Sequence, residues 1–351
     1  MVTTWTPKPL RFPLSSEFHF PTMAATLLNL HLPILSQRRI PSVLSWTPKH
    51  RFPVKASTET DQTSDASTDS TSLPGLKSPP QPKRFYVRPD KVLDIFGAFL
   101  AFPLRAGTGA FASGYSASFV SEKEIPSTQY ATKIGGFAVK ETSKLGPRPE
   151  KPIEIYEYEG CPFCRKVREI VTVLDLDVLY YPCPRNGPNF RPKAFQLGGK
   201  KQFPYMVDPN TGAAMYESDD IIKYLVDKYG DGTIPPMLSL GLFTSITAGL
   251  AMIGRAGKGS IYTPAKLPEL PIEIWSYEAS PFCKIVREVL VELELPHLVH
   301  SVARGSPKRQ QLFEKVGHFQ APYLDDPNTG VKMFESAEII DYLRTTYALP
   351  K

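Results

Sequence analysis

The chain has 351 residues, enough for two or three domains, and its 42% hydrophobic and 11% aromatic residues predict folded cores rather than an intrinsically disordered protein. Its formal net charge of +6 arises in residues 1–58, because residues 59–351 carry 34 basic and 34 acidic side chains. This balance gives nucleic-acid binding by the folded part no electrostatic support, and four cysteines are too few for a disulfide-held extracellular fold.

The N-terminal segment, residues 1–56, is rich in Ser, Thr, Pro and Arg and poor in acidic residues, which is typical of an organelle transit peptide. The stretch that begins at Met23 resembles the start of a plastid transit peptide, so either Met1 or Met23 is the initiator. We expect cleavage between Val54 and Ser57 and a chloroplast location, in the stroma rather than at a membrane. A merely disordered tail is the alternative.

Residues 57–90 predict a disordered linker. They begin with the polar, low-complexity stretch STETDQTSDASTDSTS and continue with the proline-rich SPPQPKRF. Neither stretch has enough apolar side chains to offset the entropy lost on folding.

Two apolar runs precede the more polar parts of the chain, at 91–115 and 237–257, and each ends in the pattern RAGxG. The runs lie 150 positions apart whereas the motifs that follow them lie 119 apart, so the first copy carries 31 extra residues. We therefore predict an apolar helical segment plus a mobile loop in 91–150, and an apolar helical segment in 232–270. A membrane span needs about 20 apolar residues. The second run falls slightly short of that and Arg105 interrupts the first, so packed helices are favoured over membrane association through 237–254.

The remaining sequence is written twice. APYLDDPNTGVKMFESAEIIDYL (321–343) matches FPYMVDPNTGAAMYESDDIIKYL (203–225) without a gap, and EASPFCKIVREVL (278–290) repeats EGCPFCRKVREIV (159–171). Periodicity predicts strands at 153–158 and 177–183, a helix that starts at CPFC, a helix near 189–198 and a last helix at 216–230 capped by Ser218. The fold class is α/β, with two tandem βαβαββα domains of mixed sheet, 151–231 and 271–351.

The motif CPFC at a helix start has its own chemistry. A cysteine at a helix N-terminus meets exposed N–H groups and the positive end of the helix dipole, which favour the thiolate. Cys161 has that position, with Arg165 and Lys166 close in sequence, and Pro162 suits the first helical turn. Cys164, one turn on, could resolve a mixed disulfide formed at Cys161.

Together, the strand, CPFC, the later xPY and the Glu-Ser dipeptide resemble glutaredoxins and the N-terminal, thioredoxin-fold domain of glutathione S-transferases, here in tandem and of a plant plastid type. The resemblance implies that the backbone before a cis-proline pairs with glutathione and that the Glu-Ser dipeptide receives its γ-glutamyl carboxylate. The positions are Phe203, Pro204, Glu217 and Ser218 in the first copy, and Ala321, Pro322, Glu335 and Ser336 in the second. An anion at a helix N-terminus is reasonable on physical grounds too.

Ser280 stands where the first copy has Cys161, so the second copy cannot exchange disulfides at that position. The resemblance implies instead that a serine hydroxyl could stabilise the glutathione thiolate, and a structural copy is the alternative. Transferases of this kind need a C-terminal helical domain for the electrophile, which we do not expect here. A zinc site would need four ligands and is disfavoured, since Cys183 could supply only a third; we expect no metal.

The sequence thus predicts a glutathione-linked thiol–disulfide oxidoreductase of plastids, with Cys161 as nucleophile, Cys164 as resolving thiol and glutathione as co-substrate. Expected partners are glutathione and protein thiols or disulfides. One alternative is a redox-responsive scaffold without catalysis, and a weaker one is a glutathione-dependent transferase or isomerase.

Overall fold

A computed structural model describes residues 81–83, 86–255 and 257–350. The predicted transit peptide 1–56 and most of the predicted linker 57–90 lie outside the described residues. At the end of that linker, Pro89–Lys91 forms a 3-10 turn and Arg88 is hydrogen-bonded to Asp341 at 2.7 Å. The packed part of the chain therefore begins before the predicted boundary at residue 91.

The described ranges contain nine α-helices and eleven β-strands. The helices are α1 (Val92–Phe99), α2 (Ala101–Leu104), α3 (Pro162–Val173), α4 (Phe190–Gly198), α5 (Ser218–Tyr229), α6 (Leu242–Ile253), α7 (Pro281–Glu292), α8 (Lys308–Val316) and α9 (Ser336–Tyr347). The strands are β1 (Ser116–Ser121), β2 (Thr132–Ile134), β3 (Phe137–Thr142), β4 (Ile153–Glu157), β5 (Asp177–Pro182), β6 (Tyr205–Asp208), β7 (Ala213–Met215), β8 (Ile272–Ser276), β9 (His297–Ser301), β10 (Tyr323–Asp325) and β11 (Lys332–Met333).

The predicted βαβαββα order is confirmed in both copies. The first repeat runs β4, α3, β5, α4, β6, β7, α5 and the second runs β8, α7, β9, α8, β10, β11, α9. In each, the first two strands are parallel and the later two antiparallel, which makes a mixed sheet. The repeats then join edge to edge through antiparallel β5 and β9, giving one eight-stranded sheet of order β11-β10-β8-β9-β5-β4-β6-β7.

Helix α3 packs on this sheet through the face that the sequence predicts, since Val167, Ile170 and Val171 are buried with Leu174 just beyond the helix. Burial of such side chains contributes roughly 1.5–3 kcal/mol each. The PNTG turn is fixed by polar contacts as well, because Asp208 accepts hydrogen bonds of 2.6 Å from two tyrosine hydroxyls of α5. The second repeat reproduces this arrangement with Asp326 and two tyrosines of α9.

The two apolar segments are exchanged between the repeats. Helix α1, which precedes the first repeat, packs on α7 of the second, whereas α6 packs on α3 of the first. Arg105 and Arg255, the arginines of the two RAGxG patterns, are buried and form paired hydrogen bonds with Glu169 and Glu288. Both apolar segments thus contain helices that pack on the repeats. Within the described ranges, none of the helices has the length and apolar composition of a membrane span.

The insertion predicted as a mobile loop in 110–150 is instead a three-stranded antiparallel sheet of order β1-β3-β2. Gly135 and Gly136 both adopt positive φ, 57° and 84°, and make the tight turn between β2 and β3. This pair of turn residues between two β-prone stretches is a hairpin signal that the loop prediction overlooked.

A close helix contact gives a first prediction. A Cβ added at Gly97 of α1 would lie 2.6 Å from the carbonyl oxygen of Gly254, so Gly97→Ala must push α1 away from the end of α6. We expect a loss of about 1–3 kcal/mol of unfolding free energy, the usual cost of overpacking. Gly249→Ala is the matched control because nothing lies within 4 Å of its added Cβ. Denaturant unfolding would contradict this contact if the two variants were equally stable.

Candidate active site at the start of α3

Cys161 is the residue that caps helix α3. Its backbone is extended (φ −103°, ψ 118°), and its sulfur accepts a hydrogen bond from the backbone N–H of Cys164 at 3.2 Å. Pro162 is the first helical residue, where its missing N–H costs no hydrogen bond. The sequence therefore places a sulfur atom on the unsatisfied donors of a helix start, as predicted.

The two cysteines of the motif differ in acidity. Hydrogen bonding from Cys164 lowers the pKa of Cys161, with Arg168 contributing in the same direction, although burial and Glu157 oppose the shift. Burial raises the pKa of Cys164 well above its ordinary value, and the neighbouring Cys161 adds to that. Cys161 is thus the more acidic thiol of the pair and Cys164 the less acidic one.

Arg165 and Lys166, which the sequence suggests as cations beside Cys161, are engaged elsewhere. Arg165 is buried against Glu169, whose carboxylate accepts from its Nε at 3.1 Å, and Lys166 pairs with Asp219. Their carboxylate partners, on α3 itself and on α5, account for this. Arg168, nearly two turns along the helix, is a cation that does lower the pKa of Cys161.

Tyr158 and Arg191 belong to the site although the sequence analysis did not name them. Burial raises the pKa of Tyr158 to about 12, and the adjacent Cys161 sulfur adds to the shift. The guanidinium of Arg191 lies 5.3 Å from the ring of Tyr158 and 4.9 Å from that of Phe203, within cation–π range. The sequence did contain a sign of their importance, because the second copy has Tyr277 and Arg309 at the corresponding positions.

The predicted glutathione positions of the first repeat lie just before β6 and at the start of α5. Phe203–Pro204 is a cis peptide, and the carbonyl oxygen of Phe203 lies 3.9 Å from the Cys161 sulfur. Glu217 has a left-handed φ of 62° and is exposed, and Ser218 is the first residue of α5 rather than the predicted cap. The side chain of Glu217 accepts a 2.6 Å hydrogen bond from Gln202.

The second repeat has the same frame. Ser280 caps α7 and accepts from the backbone N–H of Cys283 at 3.2 Å, Ala321–Pro322 is cis, and Glu335 has φ 70°. The Glu335–Ser336 dipeptide of the second repeat is buried, however. Glu335 is only 6% exposed and accepts from the backbone N–H of Lys83 at 3.0 Å and from Gln320 at 2.8 Å.

A buried, crossed set of ion pairs joins the two sites. Glu159, two residues before Cys161, accepts from Nε of Arg287 at 2.7 Å and pairs with Lys284, both on α7. Glu278, two residues before Ser280, accepts from Nε of Arg168 on α3 at 3.1 Å. Burial opposes ionisation of Glu159, but the three cations around it hold its pKa well below the ordinary range. We name these five residues the crossed ion pairs.

Cys183 is the cysteine that the sequence analysis considered as a third zinc ligand. Its sulfur is buried and faces the carbonyl oxygen of Tyr181 at 3.4 Å, and burial raises its pKa well above the ordinary value. All four cysteines are unbridged. No group of three or more His, Cys, Asp or Glu side chains suited to a metal ion is found in the part of the chain that the structure describes.

The fold and the site define a pair of thioredoxin-like domains, one with a cysteine at its helix start and one with a serine. The sequence profile of the family "Glutathione S-transferase, N-terminal domain" matches residues 155–233 and 275–351. Two tandem stretches of the chain thus match one family profile, which confirms the family resemblance seen in its motifs.

Solved structures give matches over parts of the chain. A glutathione transferase of Bombyx mori, solved alone and in complex with GTT, is 32% identical over 24% of this chain, with a TM-score of 0.22. The match spans 38% of that transferase, so this chain corresponds to well under half of its length. A trimeric glutathione transferase of Leishmania is 14% identical, over 55% of this chain and 68% of its own, with a TM-score of 0.20. No curated protein matches the chain.

The depressed pKa of Cys161 gives a second prediction. Alkylation by a small iodoacetamide-type reagent should rise with pH along a single titration whose midpoint lies below the about 8.5 of a free cysteine. The thiolate is lost as the pH falls through that midpoint, so the rate falls there too. Cys161→Ser supplies the background from the other buried thiols. A midpoint at or above that of free cysteine would contradict the assignment.

Proposed function

We propose that the chain is a glutathione-linked thiol–disulfide oxidoreductase whose reaction takes place at Cys161 of the first repeat. The observation that carries the proposal is the divergence of the two motif thiols, Cys161 toward the thiolate and Cys164 toward the protonated thiol, on a hydrogen-bonded helix start. A thiolate nucleophile beside a protonated resolving thiol is the arrangement that disulfide exchange requires.

Glutathione supplies the two electrons that the proposed reaction transfers to the substrate disulfide. The Cys161 thiolate attacks a substrate disulfide, forms a mixed disulfide and releases one substrate thiolate, which takes a proton. Cys164 loses its proton and attacks the Cys161 sulfur, which releases the second substrate thiolate and leaves a Cys161–Cys164 disulfide. Two glutathione thiolates then attack in turn, the first at Cys161, so that both cysteines are reduced and oxidised glutathione leaves.

The first repeat, rather than the second, is the proposed glutathione site. The exposed Glu217 carboxylate can accept from the ammonium group of a γ-glutamyl residue, and the free N–H groups at the start of α5 suit its carboxylate. In the second repeat the equivalent Glu335 already accepts from the chain's own Lys83 N–H. The proposed role of the second repeat is to support α3 through the sheet and the crossed ion pairs.

The test is a coupled assay with the full chain, glutathione and a small mixed disulfide between glutathione and a model thiol. We expect turnover that depends on glutathione and produces oxidised glutathione in step with the released thiol. The alternative of a scaffold without catalysis predicts no turnover and a partner complex that changes on oxidation. Absence of turnover over the pH range in which Cys161 alkylates would sink the proposal.

A chloroplast location is part of the same proposal, supported by the composition of residues 1–56. A fusion of those residues to a fluorescent protein should enter isolated chloroplasts and be shortened on import, with cleavage near Ser57. Fluorescence that stays outside chloroplasts would contradict it. Stromal and membrane fractions of the imported full chain then decide where in the organelle it resides.

A further inference from the structure

A cavity of about 720 Å³ lies over the start of α7 in the second repeat, away from Cys161. This volume is within the range of about 300–1,000 Å³ that binds drug-sized molecules. One wall is apolar and comes from the N-terminal helical segment, with Ile95, Phe96, Phe99 and Phe102, and Phe111 follows it. The floor includes Ser280.

The cavity is made by parts of the chain that lie outside both repeats. Helix α1 is brought here by its packing on α7, and Thr132 of β2 comes from the inserted sheet, which has no counterpart before the second repeat. Helix α6 packs on α3 in the corresponding way, but no inserted sheet lies between α6 and β8 in the described residues. The site is therefore specific to this half of the molecule.

The polar part of the lining contains cationic groups. Arg304 lines the cavity, with its Nε donating a 2.6 Å hydrogen bond to Glu141 and with Tyr115 as a second side-chain neighbour. Arg309 lines it too, with its Nε bonded to the carbonyl oxygens of Val302 and Ala303. The acidic group of the lining, Glu335, is occupied by Lys83 and Gln320.

The same contact of Glu335 argues against glutathione as the occupant. The chain segment that ends at Arg88 covers the dipeptide where a γ-glutamyl group would bind, and Arg88 holds it there through Asp341. At the cis-proline, the side chain is the small Ala321, where the first repeat has Phe203, so room is gained next to Ser280. In the second repeat the γ-glutamyl position is therefore covered, and an apolar surface lies over Ser280.

We propose that this cavity binds an apolar small molecule of ring-rich type that carries one anionic group, with its apolar body against α1 and its anion paired with Arg304. The proposal stands apart from the exchange reaction at Cys161. Binding should be unchanged in Cys161→Ser, so that failure of either proposal leaves the other intact.

The test uses two matched fluorescent probes on the full chain: anilinonaphthalene sulfonate and phenylnaphthylamine, which has the same ring system without the sulfonate. We expect both to bind saturably with one site per chain. Arg304→Gln should weaken the sulfonate about tenfold and change the neutral probe less than about twofold. Glutathione should displace neither.

Filling the cavity should weaken both probes. Ala321→Phe and, on the inserted sheet, Thr132→Trp are each expected to lower affinity at least about tenfold. The control is the pair Leu242→Ser and Ile253→Ser on α6, which are 76% and 70% exposed and lie away from the cavity. The proposal is overturned if neither probe saturates, if both filled variants bind as the wild type does, or if the α6 pair abolishes binding.

Discussion

Replacing Cys161 by Ser should reduce glutathione-dependent disulfide exchange to the rate without protein, because the attacking thiolate is lost. Ser280→Cys, which restores CPFC in the second repeat, should not rescue that variant. Although the new cysteine would cap α7 as Cys161 caps α3, the glutathione position beside it is covered by Lys83 and Arg88. The measurement is the initial rate with the mixed glutathione disulfide in the two variants and the wild type.

The control for this pair is Ser280→Ala in the wild-type background, which should keep the full rate. Rescue of Cys161→Ser by Ser280→Cys would show that the second repeat binds glutathione after all. Loss of activity in Ser280→Ala would show that the exchange reaction depends on the second repeat, which contradicts its assignment to the first.

The second large effect is expected at the crossed ion pairs. Glu159→Ala removes the buried carboxylate that Arg287 and Lys284 of α7 share, which leaves Arg287 paired with Glu278 alone and Lys284 with only the more distant Glu288 at 3.8 Å. Breaking a buried pair in this way costs about 3–5 kcal/mol, mostly because the remaining charges lose compensation. We expect the free energy of unfolding, from denaturant titration, to fall by that amount.

A surface pair supplies the comparison. Glu122 and Lys133 lie 3.1 Å apart with more than two fifths of each side chain exposed, so Glu122→Gln should cost no more than about 1 kcal/mol. A double-mutant cycle on Glu159 and Arg287 should show strong coupling between the repeats. Equal small losses in Glu159→Ala and Glu122→Gln would mean that the crossed ion pairs do not stabilise the interface.

Much of the fold can be read from the sequence because it is local and repeated. Alternating β-branched residues give β4, the spacing of Val167, Ile170 and Val171 gives α3, and the ungapped PNTG match shows that both copies share one topology. The position of Cys161 on a helix start follows from the same local pattern. The tandem match to one family profile agrees with that prediction.

The features that could not be predicted depend on contacts between distant segments. Two of them join residues more than a hundred positions apart: the hydrogen bond from the N–H of Lys83 to Glu335, and the pairing of Glu159 with α7. The third is the exchange of α1 and α6 between the repeats, which the sequence leaves open because the apolar face of either helix fits either repeat. Arg165 shows the converse case. Its closeness to Cys161 in sequence suggested a role beside the sulfur, whereas the structure pairs its side chain with Glu169.

The most direct test of the account is to map glutathione adducts on the full-length Cys164→Ser variant after incubation with oxidised glutathione. Without its resolving thiol, the protein should hold glutathione as a stable mixed disulfide at Cys161, with Cys183 and Cys283 unmodified, as peptide mass spectrometry would show. An unmodified Cys161, or an adduct mainly on Cys283, would contradict the assignment of the first repeat as the exchange site.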